Sequence, residues 1–169
     1  MSKYPNLGIL DELYKLAYGT RPFSSQEARD KICKNEKDIT LFRKRIYNFR
    51  KGGYIRRDNR GNFKFTRKGI SIINFAKIDG LKINELKKDG RWRIIIFDIP
   101  QSKSRIRHIL RAKLAEFNFH KLQRSVYISP YVCEKEIGEL TKLLDIDPYL
   151  HLILAESLGP IEIKLKDSF

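Results

Sequence analysis

An α+β fold in two parts is what the sequence predicts, and three observations predict it. Apolar residues in the first stretch recur at the helical steps of three and four, and two short apolar runs then flank a turn rich in Asn, Asp and Gly. Later residues alternate runs of strand type with amphipathic runs of helix type. The charge is divided unevenly: Lys and Arg outnumber Asp and Glu by 22 to 10 in residues 1–90, but only by 13 to 10 in residues 91–169. With 169 residues the chain can hold two small domains, each with its own core. Its net formal charge of +15 favours polyanionic partners. No run approaches the roughly 18 consecutive apolar residues of a membrane helix, so no membrane partner is expected. The start, "MSKYPNLGIL", shows no secretory leader, and a cytoplasmic location is expected. Cys33 and Cys133 are single and distant, a pattern of neither a CxxC metal site nor a disulfide framework.

Taken in order, "LGILDELYKLAYG" places Leu10, Leu13, Leu16 and Ala17 on one helical face and offers Gly19 as its end. A second helix opens at Ser24, with Glu27 three residues on, the pair that satisfies free backbone donors at a helix start. The third, "DITLFRKRIYNFRKGG", buries Ile39, Phe42, Ile46 and Phe49 and stops at Gly52 and Gly53. Its opposite face carries Thr40, Arg43, Lys44, Tyr47 and Lys51. Tyr54–Arg57 and Asn62–Phe65 then read as short strands around a turn, with Arg56, Arg57, Arg60 and Lys64 along them. Eleven basic residues and one acid, Asp58, lie between Arg43 and Lys68. That density marks a phosphate-facing surface more than a solvated one.

Three short helices and a basic hairpin resemble a winged helix-turn-helix over residues 1–78, in which the third helix enters the major groove of double-stranded DNA and the hairpin lies along it. Arg43, Lys44, Tyr47 and Asn48 are then candidates for base edges, and Arg56, Arg57, Arg60 and Lys64 for phosphates. Tyr47 could equally pack between helix and hairpin.

"SIINFAKIDGLKINELKKDG" reads as a short helix running into a polar connection over residues 79–90, with Gly80 and Gly90 as breakpoints. A domain over residues 91–169 follows. It opens with the apolar strand Ile94–Phe97, which ends at Asp98 and Pro100. Ile106, Ile109, Leu110, Leu114 and Phe117 recur at helical spacing, "FHKLQRSVYISPY" is strand material with Val126 and Ile128 alternating against Ser125, Tyr127 and Ser129, and Ile137, Leu140, Leu143 and Leu144 mark another helix. "YLHLILAE" and "IEIKLK" are expected as two late strands. The order suggests a ferredoxin-like, split βαβ sandwich.

The segment "DGRWRIIIFDIPQSKSRIRHILRAKLAEFNFHKLQRSVYISPYVCEKEIGELTKLL", with "AESLG" after it, closely resembles the central domain of PaaX-type transcriptional regulators. That domain is in turn similar to the second CRISPR-associated protein, a small ferredoxin-like dimer of the spacer-acquisition module. "FDIP" and "LQRSVYISPY" are the most specific pieces, and the winged helix stands ahead of them in the order the regulators use. The resemblance implies a sequence-specific DNA-binding transcriptional regulator of repressor type, acting as a homodimer and needing no cofactor. The chain ends soon after this domain, without the C-terminal domain of the full repressor, which leaves an acyl-CoA effector open. In the CRISPR family the carboxylate ending the first strand is assigned to metal-dependent phosphodiester cleavage, and it matches Asp98. The alternative is thus a nuclease using Mg2+ or Mn2+ at Asp98, or a non-catalytic subunit beside a CRISPR integrase. One carboxylate per chain is few for such a metal site, though a two-fold axis could bring two together. Without a metal, Asp98 could cap the helix after Pro100 or make a dimer contact.

Overall fold

The computed structural model describes residues 7–17, 21–165 and 169. Gly19, offered above as a helix end, lies outside them. The fold is α+β and divides into two compact units, Met1–Asp79 and Gly80–Phe169.

In the first unit, α1 (Leu7–Leu16), α2 (Ser25–Ile32) and α3 (Glu36–Lys51) precede the strands β1 (Ile55–Arg57) and β2 (Phe63–Phe65) and the helix α4 (Arg67–Gly80). The caps explain the boundaries. Ser24 and Glu27 form the expected reciprocal pair at the start of α2. The Asn35 side chain accepts the Asp38 N–H, so α3 begins two residues earlier than its apolar stripe alone indicates. At its far end Gly52 caps α3 and Gly53 takes a left-handed φ of 72°, the conformation glycine adopts without penalty. β1 and β2 pair antiparallel, Ile55 opposite Phe65, and Phe23 bridges to Phe63 as a single third-strand rung. Leu10, Leu13, Phe23, Phe42, Ile46, Phe49, Phe63 and Ile73 share one core. Each such side chain contributes about 1.5 to 3 kcal/mol by leaving water.

The second unit runs β3 (Lys88–Phe97), a 3-10 turn (Gln101–Lys103), α5 (Ser104–Glu116), β4 (His120–Gln123), β5 (Val126–Tyr131), α6 (Glu134–Leu144), β6 (Leu150–Ala155) and α7 (Ile161–Leu165). Its four strands lie in the order β4-β5-β3-β6, every neighbouring pair antiparallel. Strand periodicity then sorts β3: Arg93, Ile95 and Phe97 face the helices, where Arg111 of α5 lies over the Phe97 ring, while Trp92, Ile94 and Ile96 face the other side. Phe169 packs edge-on against Trp92, His120 and Tyr131.

Three sequence expectations change here. Gly90 is no breakpoint: β3 already starts at Lys88, and Gly90, at φ 78°, sits where the β3–β5 register shifts through a bulge. β5 does not alternate between core and solvent, because Tyr127, Ile128 and Ser129 are all buried in a strand flanked by β4 and β3. "IEIKLK" is not a strand. Its described residues, Ile161–Leu165, form the short helix α7, which buries Leu165 and leaves Ile163 73% exposed. An alternating segment becomes a strand only when a free sheet edge takes up its backbone groups, and within this chain it is paired with none.

Candidate nucleic-acid interface

α3 is amphipathic in the expected sense. Phe42, Ile46 and Phe49 are buried, Ile39 is half-buried, and Thr40, Arg43, Lys44, Asn48 and Lys51 are exposed with Tyr47, which is 61% accessible. Tyr47 is therefore not packed away between helix and hairpin. On the hairpin Arg56, Arg57 and Arg60 are exposed and Lys64 is half-buried. Among the described residues no carboxylate forms an ion pair with any of these cations.

Asp58, the one acid in this stretch, is spent on the backbone. Its carboxylate accepts the N–H groups of Arg60 and Asn62, each at 2.9 Å, while Gly61 turns through φ 81°. The acid shapes the tip that presents Arg60, both bonds falling on Oδ1, and it forms no ion pair with Arg60 among the described residues. Arg56 and Lys64 stand directly opposite in the ladder, a like-charge pairing that costs stability in an isolated hairpin. The Arg57 guanidinium lies 5.3 Å from the Phe63 ring centroid, within the range of cation–π attraction. At the hairpin base Thr66 donates its hydroxyl to the Gly53 carbonyl at 2.6 Å and accepts the Gly69 N–H, locking the strands to the first turn of α4.

Three concavities adjoin along this surface. One of about 350 Å³ lies between α2, α3 and the hairpin, one of about 380 Å³ between α3 and β1, and one of about 390 Å³ along the hairpin to Lys64. Arg57 lines all three. Arg29 and Arg50 also line this surface, and the sequence reading missed both. Arg50 follows Tyr47 by three residues and so lies on the same side of α3, a signal available beforehand. Arg29 is brought in by the packing of α2, which no spacing within α3 or the hairpin announces.

In the second unit Asp98 is exposed just beyond β3. Its backbone N–H donates to the Tyr149 carbonyl at 2.9 Å, but among the described residues its carboxylate accepts no hydrogen bond, and neither the 3-10 turn nor α5 has a side-chain cap. The capping role considered for it is therefore not realised. No group of three or more His, Cys, Asp or Glu side chains suited to a metal occurs among the described residues. Nor is any described helix long and apolar enough to cross a membrane.

Residues 85–165 match the family model of the PaaX protein central Cas2-like domain, to which this part of the chain is similar. No curated protein matches the chain. A solved structure, an uncharacterized protein from Mycobacterium tuberculosis, aligns at 14% identity and a TM-score of 0.33 over 74% of this chain, which spans half the length of that protein.

Proposed function

We propose that this protein is a PaaX-like transcriptional regulator that binds double-stranded DNA sequence-specifically as a homodimer, as a repressor would. In this reading the first unit is a winged helix-turn-helix, supported by the Phe23–Phe63 rung beside the hairpin and by the exposed basic face of α3. The second is a ferredoxin-like coupling domain, supported by its β4-β5-β3-β6 strand order. One observation carries the reading: an acid-poor cationic surface runs unbroken from α3 to the hairpin tip, its single carboxylate turned to the backbone. Such a surface gains affinity by releasing counterions from phosphates. Arg43 and Asn48 have the donor geometry for guanine and adenine edges, while Arg56 and Arg57 suit phosphates.

Selection of bound fragments from random duplexes should return a two-fold symmetric consensus, with half-sites about 34 Å apart or a multiple of it. Arg43→Ala should relax base preference, whereas Arg56→Ala should weaken all sequences alike and lower the salt slope by about one. No enrichment, with no duplex binding in dilute buffer, would sink the reading. A second reading, metal-dependent phosphodiester cleavage, is favoured by the exposed and uncommitted carboxylate of Asp98. The same preparation incubated with Mg2+ or Mn2+ and nucleic acid decides it, since only cleavage abolished by Asp98→Ala would support that alternative.

A further inference from the structure

The cationic surface is not uniform, and at one point it deepens into a lined cleft. The concavity of about 350 Å³ draws arginines from three elements: Arg29 of α2, Arg43 and Arg50 of α3, and Arg57 of β1. No carboxylate lines it. Arg29 differs from the others because it is half-buried and already oriented. Its Nη2 donates to the Gln26 side chain at 2.5 Å, and Gln26 in turn donates to Asp30. Its Nε–H is buried and finds no acceptor among the described residues, as is also true of the Nε–H groups of Arg45 and Arg111, neither of which lines this cleft. A buried cationic donor without an acceptor is unfavourable, and it becomes favourable when an anion supplies the missing oxygen. Arg57 lies over the Phe63 ring, and no acceptor takes its N–H groups among the described residues. Two guanidiniums on separate elements suit a ligand with several equivalent oxygens, and phosphate has that geometry. Because one neighbouring concavity shares Arg50 and Arg57 with this one and the next shares Arg57, the charged track continues on toward the hairpin tip, as a polymer of phosphates would require.

We propose that the cleft is a phosphate clamp in which Arg29 and Arg57 grip one phosphate group, supplied by the backbone of the nucleic acid lying on the adjoining surface. The source of that phosphate rests on the duplex-binding reading, whereas the clamp itself rests on the cleft and assigns a role to Arg29. A thermodynamic cycle tests it. Duplexes carrying a single neutral methylphosphonate, moved one position at a time, are titrated with wild-type protein, Arg29→Gln and Arg57→Gln. Loss of one phosphate contact should lower the salt slope of Arg29→Gln by about one. At one backbone position the methylphosphonate should weaken wild type several-fold or more yet weaken Arg29→Gln markedly less, a non-additivity that general destabilisation does not produce. Arg57→Gln should show the same reduced response at that position. A wild-type slope in Arg29→Gln, or equal losses for wild type and variant at every position, would overturn the clamp while leaving duplex binding intact. Should wild type ignore duplex altogether, its Arg29 Nε–H resonance is followed while inorganic phosphate is added. A response lost in Arg57→Gln would retain the clamp and reject the duplex as its source, and no response would reject both.

Discussion

Arg93 shows how a single residue can organise a unit without touching its function. It is fully buried on β3, yet its guanidinium bridges Asp89 and Glu134, joining the bulged start of the strand to the first turn of α6. The bonds from Arg93 hold the Asp89 carboxyl far below its usual range, although partial burial opposes this. Glu134 is also lowered: burial pushes it up, but backbone N–H donors and Arg93 outweigh that. Arg93→Met should cost about 2 to 3 kcal/mol at neutral pH, toward the lower side for a broken buried pair, because both carboxylates reach water and can rehydrate. Since the folded carboxylates have depressed pKa values, this stabilisation is complete above the unfolded value of about 4 and fades as pH falls toward the folded ones. Denaturant titrations should therefore show wild type and Arg93→Met far apart at pH 7 and converging in acid, and a gap independent of pH would contradict the assignment. Cys133 nearby is a packing residue: burial pushes its thiol up to about 12. Nothing in the run "RWRIIIFDIP" announces that Arg93 is interior, because its partners are set by a bulge and by a helix 41 residues away. A charge in a strand is legible as surface, and only the fold reveals the pairing.

At the scale of elements, legibility followed the range of the forces involved. The capping box of α2, the buried stripe of α3 and the glycine stop after it depend on residues within a turn of one another, and each could be read beforehand. Likewise the exposure of Arg43, Lys44, Tyr47 and Asn48 followed from helical phase alone. The two-sided burial of β5 depends on neighbours distant in sequence, as does the helical turn that replaced the expected strand at Ile161–Leu165. Asp98 shows the same limit, its capping role requiring a loop geometry that the chain does not adopt. The joint between hairpin and α4 offers a sharp test of packing at this scale. A Cβ on Gly69 would sit 2.1 Å from the Tyr54 carbonyl oxygen, backbone that cannot swing aside, whereas a Cβ on Gly138 in α6 meets nothing within 4 Å. Gly69→Ala should destabilise the first unit by about 2 kcal/mol or more through overpacking. Gly138→Ala should stabilise the second by up to about 1 kcal/mol, since alanine is the better helix former. Thermal melts of the two variants should shift in opposite directions, and a shift in the same direction would refute the packing argument.

Across the whole molecule, charge and apolar surface are assigned to different units. The basic excess belongs to the first, and the second presents its least protected edge at β6, "LHLILA", a strand bonded only to β3 and free of charged residues and proline. Ile153 and Leu154 on it are 44% and 43% exposed, and Ile96 beside it on β3 is 39% exposed. Strand edges that remain single are commonly guarded by charge, proline or a bulge, so an edge lacking all three is suited to a partner. In the homodimer reading that partner is a second copy, whose own edge is identical and can meet it about a two-fold axis. Ile153→Lys with Leu154→Lys places like charges on both copies wherever the edges would meet, while leaving α3 and the hairpin untouched. The solution mass should fall from two chains to one. Affinity for a symmetric two-half-site duplex should drop about a hundredfold, because the second half-site is no longer bound intramolecularly. Affinity for a single half-site should stay within a factor of about two, which separates lost coupling from damaged recognition. A variant that keeps the mass of two chains would exclude β6 as the contact, and equal losses on single and double sites would place the damage in the DNA-binding surface itself.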